Sequence, residues 1–125
     1  MLTLYDLLSP LQRITPPFSQ VVRNLKPDFD LIPCNASLNA LEEEFGFMPN
    51  YHLKLRDLMT RISEDQRPYD FVVLDCPPNL GVLTWNAFNA ADEVIVPVEP
   101  SFFSLHGLAK ISETLQVVNL SLIHI

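Results

Sequence analysis

The sequence predicts an α/β fold with a mostly parallel sheet, and three observations carry that prediction. Three short apolar runs, Phe29 to Pro33, Phe71 to Asp75 and Glu93 to Val98, have the length of buried strands. The last two are rich in Val and Ile without alternation, the composition of strands covered on both faces. Helical periods lie between and after them, and alternation of strand with helix implies parallel pairing through right-handed crossovers.

The elements follow in order. Leu4 to Leu8 and Phe18 to Leu25 read as short helices separated by the Pro16-Pro17 break. After the first strand, Glu42-Glu43-Glu44 reads as the solvated face of a helix, without function. Leu55, Leu58, Met59 and Ile62 fall at i, i+3, i+4 and i+7 of a helix that Pro68 stops. Leu80, Leu83, Thr84, Ala87 and Ala91 form a small-residue stripe, with Trp85 and Phe88 on the other face and packed in the core. Leu105, Leu108, Ile111, Leu115, Val118 and Leu122 form the longest stripe, with Ser104 as its N-cap.

Composition narrows the function. The chain has 125 residues, one domain's worth, with 48% hydrophobic and 18% charged residues, a globular balance. A formal charge of −7 and scattered basic residues argue against a broad phosphate-binding surface. No apolar run reaches the roughly 20 residues that span a bilayer. The start lacks the basic flank of a signal peptide, so the expected location is the cytoplasm. Cys34 and Cys76 are too far apart for a metal knuckle or a redox pair, and two reduced thiols are expected.

The candidate site is Asp75. An apolar run ends in this carboxylate, Pro77 and Pro78 forbid the strand to continue, and Gly81 allows close approach of the backbone. Such an acid beside a nucleotide accepts hydrogen bonds from waters on Mg²⁺. The plainer reading is that Asp75 caps the turn or the following helix; the Pro-Pro and Gly spacing favours the functional one. A phospho-accepting receiver domain also ends a strand in Asp, but it places its proline four residues on and a Lys-Pro later. Here the only Lys-Pro, Lys26-Pro27, comes before Asp75.

The run Tyr69-Asp70-Phe71-Val72-Val73-Leu74-Asp75-Cys76-Pro77-Pro78-Asn79-Leu80-Gly81-Val82-Leu83-Thr84 resembles the ParA/MinD family of deviant Walker ATPases. Asn86-Ala87, Ala90-Ala91-Asp92, Val94 to Val98 and Phe103 to Leu108 continue the match in register, and Thr3 to Leu8 and Asp30 to Pro33 extend it upstream. The resemblance implies a three-layer sheet of the P-loop NTPase type. Asp75 would be the Walker B acid, reaching Mg²⁺ through water, and Cys76, Pro77, Pro78 and Gly81 would form the switch that senses the γ-phosphate. Pro97 would lie near the nucleotide. The whole protein would bind ATP and Mg²⁺, form a homodimer, bind DNA nonspecifically on the nucleoid and answer to a ParB-like partner in chromosome or plasmid partitioning.

The departures from the family matter as much. The family's Gly-rich phosphate loop with its lysines is absent: Gly46, Gly81 and Gly107 are the only glycines and none precedes Lys. The first switch aspartate is absent too. The expectation is therefore a fragment, inactive alone and binding no ATP, with the central first strand missing from between the Asp75 and Val94 strands. Residues 1–125 are expected to be a single partial domain of the ParA type (AAA-like, CbiA-type). Residues 120–125 are expected to be a non-native or truncated tail without a partner strand. The alternatives are a non-catalytic module pairing with an intact relative and a MinD-like division-site protein, whose membrane-targeting helix cannot be read here.

Overall fold

The computed structural model describes residues 1–46, 48–65, 69–99, 102–118 and 121–124. It is a mixed α/β arrangement in which a helical core carries two small sheets. Helix α1 (Leu4–Leu8) starts where Thr3 and Asp6 satisfy one another: the Thr3 amide and hydroxyl both donate to Asp6 Oδ2, at 2.7 and 3.1 Å. Helix α2 (Phe18–Val21) is short. The helix expected to run on to Leu25 ends there, because Arg23–Lys26 forms strand β1 and pairs antiparallel with β2, Phe29–Leu31. The turn between them is chemically set: Pro27 fixes its own φ, and Asp28 takes the left-handed conformation at φ 59°. β2 is thus a hairpin arm with exposed residues, not the buried parallel strand the sequence suggested.

A 3-10 turn (Ala36–Ala40), opened by the Asn35 side chain accepting from the Ser37 amide, leads into α3 (Leu41–Phe45). Helix α4 (Lys54–Asp65) follows the predicted period, with Leu55, Leu58 and Ile62 buried and Met59 packed beside them. The expected stop at Pro68 lies outside the described residues. Helix α5 (Val82–Ala90) buries Thr84, Asn86, Ala87 and Phe88, so it is covered on more than one face and shows no single apolar stripe. Phe88 is in the interior as expected, and Trp85 is half-buried.

Strand β3 (Glu93–Val96) ends before Pro97, which has no amide to extend a ladder. Helix α6 spans Phe102–Val118, so Ser104 lies inside it and is not its N-cap. Leu115 is buried but Leu105 is exposed, and Leu122 belongs to the next element instead of the helical stripe. That element is β4 (Ser121–His124), parallel to β3 with Val94 opposite Leu122. Ser121–His124, expected to lack a partner strand, has one.

The core joins Leu7 of α1, Val21 of α2, Leu55, Leu58 and Ile62 of α4 and Ala87 of α5, with Ile32 and Leu74 packed on it. One buried polar link matters to it: the Asn86 side-chain oxygen accepts from the Leu55 amide at 3.1 Å, at the first turn of α4.

The largest correction concerns Phe71 to Asp75. No ladder forms there, and the three predicted strands do not lie side by side in one direction. The segment is held at two points. The Tyr69 hydroxyl donates to Asp30 Oδ2 at 2.7 Å, and Leu74 packs on the core. Between these points Phe71 is 89% and Val73 90% exposed. A strand exists only by pairing its amides and carbonyls with neighbours, and neither β2 nor β3 pairs with this one.

Two outcomes follow. Asn86→Ala leaves the Leu55 amide without its acceptor and should lower stability by about 1–3 kcal/mol in urea unfolding, whereas Asn89→Ala on the same helix should cost less. An unpaired apolar ribbon is also a template for association. Sedimentation should show concentration-dependent self-association that Phe71→Ser with Val73→Ser reduces; a monomer with a sharp melt at high concentration would contradict this.

Candidate nucleotide-responsive turn

Asp75 stands at the end of the extended segment, one residue after the anchored Leu74, and it is exposed. Among the described residues no hydrogen bond engages its carboxylate. The plainer sequence reading, in which Asp75 caps the following helix, has another occupant: Glu42 of α3. The Val82 amide donates to Glu42 Oε2 at 2.9 Å and the Leu83 amide to Oε1 at 3.4 Å, satisfying two of the free amides at the start of α5.

The turn from Cys76 to Gly81 is fixed from the helix side as well. The Thr84 hydroxyl donates to the Asn79 carbonyl at 2.6 Å, and the Trp85 amide closes the first turn on the Gly81 carbonyl at 3.0 Å. Pro77 and Pro78 are exposed and stiffen the middle. The sequence suggests that Gly81 lets the backbone approach a ligand closely. What comes close is Glu42: a Cβ added at Gly81 would sit 2.5 Å from Glu42 Oε1. Gly81 has a negative φ of −88°, so close approach, not backbone conformation, is what asks for glycine here.

The acidic triplet therefore divides. Glu43 is exposed, as a solvated face should be, but Glu44 accepts from the Tyr5 hydroxyl at 2.7 Å and the Ser9 hydroxyl at 2.6 Å. Together Glu42 and Glu44 bind α3 to α5 on one side and to α1 on the other. A triplet of glutamates carries no local sign of these partners, which lie 35 to 41 positions away in sequence.

Cys76 is exposed, and its thiol is held above the ordinary range, first by desolvation from the chain around it and then by the Asp75 carboxylate, which opposes a thiolate. Pro97 lines a separate shallow pocket of about 310 Å³ with Val96, Val98, Gly107 and Ile111, and none of residues 75–81 lines that pocket.

Asp75 fits the water shell of a divalent ion, being an exposed carboxylate without a protein partner among the described residues. The phosphates do not fit in the same way. None of the three glycines has positive φ, and the α5 amides at Val82 and Leu83 are occupied by Glu42. Among the described residues, no cluster of three or more His, Cys, Asp or Glu forms a metal cage, and no helix is long and apolar enough to cross a membrane.

Comparison with known proteins places this geometry. A family model described as an AAA domain matches residues 2–124. The chain is 40% identical over 120 residues to the chromosome partitioning protein ParA of Caulobacter vibrioides, covering 96% of this chain and 43% of that one. The chain thus spans less than half the length of that relative. Its fold resembles a plasmid partition protein of Borrelia burgdorferi, with a TM-score of 0.80 at 22% identity over 98% of this chain and 50% of that one. It also resembles cobyrinic acid a,c-diamide synthase of Mycobacterium smegmatis, solved with an ATP analogue and magnesium. There the TM-score is 0.74 at 27% identity, over 98% of this chain and 49% of the other.

Asp75→Asn should lower the Cys76 pKa by removing the opposing charge. At a fixed pH near 7.5 the thiolate fraction rises, so alkylation of Cys76 by iodoacetamide, followed by peptide mass spectrometry, should quicken by roughly twofold, with Cys34 as the internal reference.

Proposed function

Since the chain belongs to the AAA-domain family of ParA-type proteins, we propose that it is the Asp75-bearing part of an ATPase that partitions chromosomes or plasmids. The observation that carries this reading is the exposed carboxylate of Asp75 at the head of a turn whose far end is fastened to α5 and α3. An acid so placed can accept hydrogen bonds from metal-bound waters, while Cys76, Pro77, Pro78 and Gly81 connect it to α5. Bound Mg²⁺ would supply charge neutralisation at the phosphates, and this chain's contribution is to hold one carboxylate in register with them.

The complementary part of the site, a Gly-rich loop with lysine, belongs to residues outside this chain. The proposal for the whole protein is ATP-dependent homodimerisation, nonspecific DNA binding on the nucleoid in the cytoplasm, and release when a ParB-like partner stimulates hydrolysis. The net charge of −7 argues against a broad phosphate-binding surface on this part of it. A second reading has its own support: the exposed Phe71-Val72-Val73 edge suits a non-catalytic module that pairs with an intact relative.

Equilibrium titration with a fluorescent ATP analogue and Mg²⁺ separates these. The chain as given should show no saturable binding, and micromolar affinity would overturn the division of the site proposed here. Joined in frame to an upstream phosphate loop, the same sequence should bind and hydrolyse ATP. Asp75→Asn should then lower hydrolysis by about a hundredfold, the order seen when a preorganised charge-stabilising group is removed. Hydrolysis unchanged by that substitution would reject Asp75 as the acid, and capture of an intact relative without any ATP turnover would favour the second reading.

A further inference from the structure

We propose that Glu42 is a positioning residue for Asp75: its carboxylate is a latch that fastens the Asp75–Gly81 turn to α3, and Gly81 is glycine because the latch occupies the space of its side chain. Three observations converge. Both carboxylate oxygens of Glu42 accept backbone amides of α5, one each from Val82 and Leu83. A Cβ at Gly81 would meet all three atoms of that carboxylate, at 2.5 to 3.2 Å. The Thr84 hydroxyl on the Asn79 carbonyl transmits the position of α5 to the turn itself.

The consequence is mechanical. The turn has two ends, and Leu74 seats the first on the core. Without Glu42 the second end keeps the packing of α5 on the core and the Thr84 bond to Asn79, but it loses the direct tie of the first turn of α5 to α3. A charge-assisted bond to two amides at a helix start is among the stronger local restraints available to a partly exposed side chain. Glu42 itself is carried on α3, whose Leu41 and Phe45 are buried and whose Glu44 is tied to Tyr5 and Ser9 of the α1 region. The placement of Asp75 is thereby referred back to α1 through α3. Any movement of the turn toward or away from a ligand must break, keep or carry this carboxylate.

The contact stands on the geometry alone; its effect on nucleotide chemistry rests on the reading of Asp75 given above. The test therefore uses no nucleotide. Hydrogen exchange by mass spectrometry, with fragmentation to single residues at low micromolar protein, reads the Val82 and Leu83 amides. Iodoacetamide labelling of Cys76 reads the turn. Glu42→Ala should speed exchange at both amides by about tenfold and change the Cys76 labelling rate. Glu42→Gln, which keeps one acceptor oxygen, should restore part of the protection, and Glu43→Gln should change neither. Gly81→Ala should reproduce Glu42→Ala, with the double substitution no worse than either, as expected for two residues sharing one interaction. Parental exchange and labelling in Glu42→Ala, or independent addition of the Glu42 and Gly81 effects, would overturn the latch. Should Glu42→Ala fail to fold, Glu42→Gln and Gly81→Ala carry the same test. Loss of the ATPase reading would leave these outcomes untouched, and loss of the latch would leave nucleotide binding to be judged separately.

Discussion

An extended segment needs neighbours on both sides to become a strand, and this one requirement organises the molecule. Phe71 to Asp75 has the composition of a central, doubly covered strand, yet no ladder stands beside it. Its backbone position is kept by two side chains, Tyr69 on Asp30 and Leu74 on the core. The same lack of neighbours exposes Phe71 and Val73 and leaves Asp75 at a rim with no protein partner among the described residues. Helix packing carries the stability that the sheet cannot supply here. The helices α1, α4 and α5 close around Leu7, Leu55, Leu58, Ile62 and Ala87, and they place the turn after Asp75 where α3 can reach it.

The turn itself is built with more constraint than its exposure suggests. Two prolines limit its backbone, the Thr84 hydroxyl ties it to α5, and the Glu42 carboxylate ties α5 to α3. This combination leaves the acid accessible while fixing the chain on either side of it. It also separates two roles that one sequence motif had merged: helix capping, done by Glu42, and the availability of Asp75. The Cys76 thiol records the same arrangement, since its raised pKa reflects both the enclosing chain and the neighbouring carboxylate.

Local signals were legible in the sequence, and non-local ones were not. The period Leu55, Leu58, Ile62 marked α4 and its buried face correctly, because an amphipathic helix writes its core face at fixed spacing. The Leu4–Leu8 helix was equally local. The segment Phe18 to Leu25 misled because its apolar residues suit a helix, whereas the Pro27-Asp28 turn drew Arg23–Lys26 into a hairpin. Phe71 to Asp75 carries a strand's composition but not the strand, since pairing depends on residues distant in sequence. The partner strand of Ser121–His124 was hidden for the same reason, being β3. Glu42 was invisible as a functional group, as its partners are amides whose identity no side chain reveals. The family was readable from Tyr69 to Leu108, and the match over residues 2–124 agrees with it.

The central claim is that this chain supplies the acid of a nucleotide site whose phosphate-holding half lies in other residues. The most direct measurement is a crystal structure, with Mg²⁺ and a non-hydrolysable ATP analogue, of a protein joining this sequence to an upstream Gly-rich loop. The account predicts Phe71 to Asp75 paired on both sides within a parallel sheet, and the Asp75 carboxylate at hydrogen-bonding distance from a water on the metal. An unpaired Phe71 to Asp75 segment, or an Asp75 carboxylate turned away from the phosphates, would contradict it.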